Sequence, residues 1–128
     1  MNLTIRSIAD RGDPAKERIV FRADEPLDIG QFLVLRSAWL HGAPSTDITQ
    51  TFWFPNKDVG NRDLIVLYSK RGADKVRELE SGRRTHFFYW NSDAPLWADS
   101  TYVPVLAYSP EWRYLEPADE SAEADDEL

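Results

Sequence analysis

The apolar and polar positions along this chain follow the two-residue period of β-strands. Residues 2–8 and 17–22 alternate apolar with polar side chains, which puts Ile19 and Phe21 on one face of the second segment. No stretch of about ten residues between such segments shows the spacing of an amphipathic helix. That absence excludes parallel α/β folds, in which helices alternate with strands.

Two clusters of aromatic residues indicate further strands. The first lies at residues 51–54 and is followed by an aliphatic strand at residues 63–69, and the second lies at residues 85–90. Large flat side chains are favoured in strands. These clusters therefore predict an antiparallel β-domain whose core is built largely from aromatic side chains.

Two more strands are predicted near the middle and the end of the chain. Residues 31–36 are apolar on both faces, which is typical of a central strand. Residues 102–108 contain Pro104, which has no backbone donor and therefore indicates a sheet edge or a bulge.

Two polar segments are predicted to connect these strands. Residues 37–50 are rich in glycine, proline, serine and threonine and indicate a long loop. Residues 70–84 are charged, and the spacing of Val76 and Leu79 predicts a turn or two of helix. The whole pattern, about seven short strands separated by turns, is typical of an antiparallel β-sandwich.

The charged residues divide the chain into a body and a tail. Residues 116–128 carry seven acidic side chains and no basic one, whereas the residues before them carry 15 of each sign. The tail has no aromatic or β-branched residue to bury, which predicts a disordered end after a single domain at residues 1–115. A neutral body with an acidic tail argues against nucleic acid as a partner, because phosphate contacts supply most of that affinity.

The sequence contains no recognisable catalytic or metal-binding constellation. It has no cysteine, which excludes disulfides, thiol catalysis and cysteine-based metal sites. Its two histidines, His41 and His86, lie far apart and have no carboxylates at a spacing typical of metal ligands. No serine lies in a nucleophile elbow. We therefore expect a protein that is not an enzyme and that needs no cofactor.

The hydropathy of the chain gives an expectation for its location. No apolar run approaches the length that crosses a membrane. The apolar residues at the start of the chain form too short a stretch, and alternate too regularly with polar residues, to be the apolar core of a signal peptide. The sequence therefore predicts a soluble, cytoplasmic protein without a membrane partner.

Several segments occur in an order that is known from one family of β-sandwiches. They are the strand that begins at Glu17, the turn Asp28-Ile29-Gly30-Gln31-Phe32, the segment Phe52-Trp53-Phe54-Pro55 followed by Gly60 and the strand at residues 64–68, and finally Trp90, Trp97 and the strand at residues 103–108. In this order they resemble the lamin-tail-like domain over residues 17–109. The resemblance implies an immunoglobulin-like sandwich that serves as a non-catalytic protein-interaction or anchoring module. It carries no catalytic residue over to this chain.

The aromatic strands also predict where a binding surface lies. Successive side chains of a strand point to opposite faces of the sheet. If Phe54 and Phe88 point into the core, then Trp53, Phe87 and Tyr89 point away from it. Large apolar side chains on an outer face are candidates for recognition. We interpret Trp53, together with Phe87 or Tyr89, as the predicted binding surface.

Further expectations concern the surroundings of this surface. The loop at residues 37–50 holds Trp39 and His41, which form a second candidate binding site. As an alternative, that loop or the segment at residues 70–84 folds over the outer aromatic side chains and covers them. The side chains predicted to share the buried face with the inward aromatics are Leu64, Val66 and Tyr68.

Two functions from different classes fit these aromatic side chains. One is an interaction module that binds a protein partner, or a second copy of itself, through an outer aromatic face or a sheet edge. The other is a carbohydrate-binding sandwich in which exposed tryptophan and tyrosine rings stack on sugars. The expectation of a cytoplasmic protein favours the first.

Overall fold

The computed structural model describes residues 1–118 and shows an almost entirely β protein in that range. One short 3₁₀ helix lies at Ile29–Gln31. The strands are β1 (Leu3–Ala9), β2 (Arg18–Ala23), β3 (Leu27–Asp28), β4 (Phe32–Leu40), β5 (Ala43–Trp53), β6 (Asp58–Val59), β7 (Leu64–Tyr68), β8 (Lys75–Glu78), β9 (Arg84–Tyr89) and β10 (Tyr102–Tyr108). The prediction of an all-β fold is confirmed. The predicted disordered tail at residues 116–128 lies outside the described residues from residue 119 onward.

The strands form two main sheets. The five-stranded sheet has the order β1-β2-β7-β9-β8, the three-stranded sheet has the order β10-β4-β5, and β3 pairs separately with β6. Neighbouring strands are antiparallel except β7 and β9, which run parallel. The expectation of a purely antiparallel fold is therefore wrong at this pair. The chain leaves β7, forms the edge strand β8, and returns through a hairpin as β9, which fills the place between them.

Aromatic side chains from both sheets meet in one core. Phe54, which directly follows β5, packs edge-to-face against Phe21 on β2 and Phe88 on β9, with ring centroids 5.7 and 5.1 Å apart. Trp97, from the loop before β10, is fully buried in the same core. The two sheets therefore enclose a shared interior, which is the arrangement of a β-sandwich.

The buried row of β7 differs from the sequence-based expectation by one residue. Ile65 and Leu67 are the side chains that enter the core. Leu64, Val66 and Tyr68, which were predicted to be buried there, belong to the opposite, outer side of the sheet, where Val66 lies in a second apolar cluster. The prediction was wrong because every residue of β7 is apolar or aromatic, so that alternation does not distinguish its two faces.

The segment predicted to be a long loop, residues 37–50, is instead the hairpin of β4 and β5. Its two-residue turn is His41-Gly42, with φ angles of 54° and 78°, and such turns require positive φ at both positions. Two register shifts interrupt the pairing of these strands. The Ser37 hydroxyl donates to the carbonyl oxygen of Ser45 and accepts from its N–H, at 2.6 and 2.9 Å. Turn-forming residues inside β5 thus lie at irregularities of a strand, which composition does not distinguish from a loop.

Two further sequence predictions have opposite outcomes. Residues 70–84 contain the edge strand β8 rather than a turn of helix, and Val76 pairs there with His86. One or two turns of helix are too short to be stable alone, whereas the strand gains backbone hydrogen bonds to β9. Pro104 lies on β10, an edge strand of the three-stranded sheet, and its predicted edge position is confirmed.

A buried carboxylate ties three separate parts of the chain together. Glu17 Oε1 accepts hydrogen bonds from the Ser69 hydroxyl at 2.5 Å and from the backbone N–H groups of Leu96 and Trp97 at 2.6 and 3.2 Å. Its Oε2 accepts from the N–H of Gly12 at 2.7 Å. A charge removed from water is tolerated when it is hydrogen-bonded in this way.

Candidate functional site

The outer side of the three-stranded sheet is a largely apolar surface. On β4, Phe32 and Val34 point into the core, so the alternating residues Leu33 and Leu35 point outward. Their partners on the neighbouring strands point the same way. We call this surface the apolar face. It consists of Leu33, Leu35 and Ser37 on β4 together with their partners Ile48, Thr51, Trp53, Val103, Val105 and Ala107. None of these side chains is charged.

Trp53 marks one end of the apolar face. Its side chain is 43% exposed, and its indole Nε1–H donates to the carbonyl oxygen of Gly30 at 2.7 Å. The ring packs edge-to-face against Trp112, with centroids 4.8 Å apart, and Trp112 in turn contacts Tyr114 at 6.0 Å. Residues after β10 therefore return to this face and extend it with two more exposed aromatic side chains.

Trp39 marks the other end. Alternation along β4 puts Trp39 on the same side as Leu35, next to the hairpin turn at His41. Both Trp39 and Leu40 are exposed. From Leu33 to Trp39 the strand rises about 20 Å. The structure thus brings two of the predicted binding residues, Trp39 and Trp53, onto one face, although it places Trp39 and His41 on a hairpin rather than in a loop.

Phe87 and Tyr89 do not belong to this surface. They lie on β9, on the outer side of the five-stranded sheet, and are only 9% and 8% exposed. The expectation that either side chain completes a surface with Trp53 is therefore wrong. Two-residue periodicity shows that these side chains point away from the core, but it does not show that β5 and β9 belong to different sheets.

The segment after β7 covers these two aromatic side chains. Tyr89 stacks on Tyr68 with centroids 5.4 Å apart, and Gly72 lies so close that a Cβ there would be 2.4 Å from the Tyr89 ring. The Nζ of Lys75 lies 5.3 Å from the centroid of the Phe87 ring. The alternative that the segment at residues 70–84 folds over the outer aromatics is thus correct for this sheet.

Sequence reasoning missed the aliphatic part of the apolar face. Leu33 and Leu35 lie in a stretch that is apolar on both sides, which predicts a central strand buried by other elements. In the structure β4 is central, but only one side of its sheet packs on the core. The sequence did contain a signal for this surface. Val103 and Val105 lie on one side of the strand that Pro104 marks as an edge strand, and an edge strand is less covered by other elements.

A buried acid–histidine pair lies at the other end of the core. His86 Nε2 is 2.8 Å from Asp63 Oδ2, and both side chains are buried. Burial raises the pKa of Asp63, but hydrogen bonds from His86 and from the N–H groups of Arg84 and Gly60 outweigh that effect and hold it below its ordinary value of 3.8. Solvent does not reach the ring of His86, and through Asp63 the pair ties the turn before β7 to the start of β9.

Within residues 1–118, no group of three His, Asp or Glu side chains is arranged to hold a metal ion. No helix in that range is long and apolar enough to cross a membrane. In comparisons with known proteins, no family model matches this chain, and no curated protein or solved structure shows significant similarity to it.

Proposed function

We propose that this chain is a non-catalytic interaction module that binds a protein through the apolar face. The observation that supports the proposal is an outward row of aliphatic side chains without any charge, bounded by Trp39 and Trp53. Contiguous exposed apolar surfaces of this kind are typical of protein-binding sites, and tryptophan is enriched among the residues that dominate binding energy.

A second copy of the same chain is the partner that fits this surface best. A face without charges offers no complementarity to a charged partner, whereas it is complementary in chemistry to itself. Homodimer interfaces are also more apolar than those of transient complexes, and a two-fold axis pairs the same patch on both subunits. The irregular pairing of β5 twists that edge strand. Packing of face against face therefore suits this molecule better than pairing of edge with edge.

The family of the fold is part of the same proposal. The two sheets with a shared core, the entry of β2 after Glu17, and the Phe54-Pro55 step at the end of β5 support an immunoglobulin-like sandwich of lamin-tail type. In such a sandwich we infer an anchoring role, in which the module holds two chains together.

Binding of carbohydrate is the weaker alternative. Sugar sites need open aromatic rings surrounded by hydrogen-bonding side chains. On the apolar face only Ser37 and Thr51 have a polar side-chain oxygen, and the Ser37 hydroxyl is already bonded to the backbone of Ser45. The indole N–H of Trp53 is likewise bound to Gly30. The composition of the face therefore favours a protein partner over a sugar.

The experiment is sedimentation of the full chain over a range of concentrations, with two matched variants. Ile48 on β5 and Val76 on β8 are both β-branched, both on edge strands, and 42% and 44% exposed. Ile48→Glu puts a charge into the apolar face and should weaken dimerisation by about tenfold or more, equivalent to about 1.4 kcal/mol. Val76→Glu, on the other sheet, should leave it unchanged. A chain that stays monomeric at every concentration, or equal effects of both substitutions, would refute the proposal of self-association.

A further inference from the structure

A cleft lined by arginine side chains lies on the outer side of the five-stranded sheet, opposite the apolar face. It encloses about 510 Å³, a volume within the usual range for small-molecule sites. Four guanidinium groups line it, those of Arg6, Arg22, Arg62 and Arg83. Among residues 1–118, no carboxylate lines it. The chain as a whole is acidic, so this local excess of positive charge arises from the fold alone.

The fold brings these arginines together from four separate elements of the chain. Arg6 lies on β1 and Arg22 on β2, whereas Arg62 lies in the turn before β7 and Arg83 in the turn between β8 and β9. The turn that holds Arg62 is fixed, since its N–H donates to the carbonyl oxygen of Ala23 at 2.8 Å. The cleft is thus assembled from two strands and two turns of one sheet, and the turn at Arg62 is held against the end of β2.

The floor of the cleft is apolar. Val20 and Leu64 belong to the row of side chains that alternates with the buried Ile19 and Ile65, and they face outward into the cleft. Leu79, from the turn after β8, adds an apolar wall. A ligand that fits here needs oxygen atoms for the arginines and a body that tolerates contact with aliphatic side chains.

The positive charge of the cleft is only partly compensated within the described residues. Arg22 forms an ion pair with Asp24, with 2.9 Å between Nε and Oδ1. Asp24 also accepts a hydrogen bond from the Thr4 hydroxyl. Hydrogen bonds from Thr4 and Arg22 hold the pKa of Asp24 below its ordinary value, and the charge of Arg6 adds to this effect, so Arg6 also lies near that carboxylate. Within residues 1–118 the guanidinium groups of Arg62 and Arg83 form neither a hydrogen bond nor an ion pair. Like charges at one site repel each other, and the binding of an anion removes that cost.

We propose that this cleft binds a small organic phosphate whose phosphate groups carry more than one negative charge. The planar guanidinium group matches the geometry of phosphate oxygens with two parallel hydrogen bonds. A phosphate monoester carries about −1.5 to −2 at neutral pH, whereas a carboxylate carries a single charge, so phosphate matches a cleft with four arginines beside one aspartate better. The organic part of the ligand lies on Val20 and Leu64.

The test is a titration of the isotope-labelled full chain, followed by amide chemical shifts at low salt. The probes are inorganic tripolyphosphate, a nucleoside triphosphate, and citrate as a carboxylate of comparable charge. We expect both phosphate probes to shift the amide signals of Ser7, Arg62 and Arg83, and the nucleoside triphosphate to shift those of Val20 and Leu64 as well. Binding should weaken with added salt, because screening acts on exposed charges.

Variants decide whether the arginines are responsible. Arg62→Gln combined with Arg83→Gln should weaken binding of tripolyphosphate by about tenfold or more, which corresponds to about 1.4 kcal/mol. Arg113→Gln is the matched control, since Arg113 is exposed and does not line this cleft. Thermal unfolding of each variant shows whether it is folded, and Arg6→Gln, on a different strand, provides a second test if the double variant is not. Absence of binding at low salt, equal binding by the double variant, or citrate binding as tightly as tripolyphosphate would each overturn the proposal.

Discussion

The backbone N–H of Trp97 donates to the carboxylate of Glu17 across 3.2 Å in the interior of the sandwich. This contact holds the loop before β10 against the start of β2. It thereby fixes the position of Trp97, the largest fully buried side chain of the core. One acidic residue therefore positions an aromatic residue that is far away in the sequence.

Replacing Glu17 by alanine should destabilise the protein strongly. The substitution leaves the buried N–H groups of Leu96 and Trp97 without acceptors, and each unpaired buried group costs about 1–3 kcal/mol. Urea unfolding measures the change, with Glu25→Ala as the control, because Glu25 is exposed and its side chain accepts one hydrogen bond, from Asn2, within residues 1–118. Equal midpoints for the two variants would show that the Glu17 contacts add nothing to stability.

The register of β7 predicts different costs for neighbouring substitutions. Ile65→Ala removes a fully buried side chain and should cost about 2–5 kcal/mol. Leu64→Ala, on the half-buried outer side, removes about as many atoms and should cost clearly less. Denaturant unfolding of both variants tests the assignment of faces. A larger loss for Leu64→Ala would mean that the strand is shifted by one residue.

The low pKa of Asp63 makes part of the stability dependent on pH. A carboxyl whose pKa is lower in the folded than in the unfolded state stabilises the fold above its unfolded pKa, near 3.8, and this contribution is lost as the pH falls through the folded pKa. Asp63→Asn should therefore be less stable than the natural sequence at neutral pH, and the difference should shrink below pH 3.8. Asp24 and Asp99, whose pKa values are also lowered, are present in both proteins and cancel in the comparison. A difference that is constant from neutral to acidic pH would contradict this account.

Trp53→Ser should leave the protein folded and weaken its self-association. The hydrogen bond to Gly30 is lost, which costs about 0.5–1.5 kcal/mol of folding stability, and the edge-to-face contact with Trp112 disappears. Circular dichroism and sedimentation measure the two effects separately. Unfolding of the variant would assign Trp53 to the core, and unchanged association would remove Trp53 from the binding surface.

The sequence predicts the strands well but not the sheet to which each one belongs. Alternation identifies Ile19 and Phe21 as inward side chains and Trp53 as an outward one, and the structure agrees. It does not show that Phe87 lies on the other sheet, because periodicity describes a strand and its two sides only. Nor does it show that Gly72 passes over Tyr89, since such cover depends on where the chain crosses the sheet.

The apolar face and the arginine cleft differ in how far the sequence predicts them, because sequence patterns describe single strands and not neighbours in a sheet. Trp39 attracts attention as a large apolar residue among turn-forming neighbours, and it is exposed at a hairpin tip. The arginine cleft has no local signal at all, because Arg6 and Arg83 become neighbours only when the five-stranded sheet is complete.

The position of β7 between two hairpins of the five-stranded sheet predicts an order of folding. Within the five-stranded sheet, β1 with β2 and β8 with β9 are hairpins between segments that are near in sequence. The pairing of β2 with β7, in which Arg18 faces Tyr68, closes a much longer loop. Long-range pairings of this kind are slow to form. We therefore expect the two hairpins to form first and the pairing of β7 with both of them to limit the folding rate. Substitutions in β7 should then slow folding more than substitutions in either hairpin.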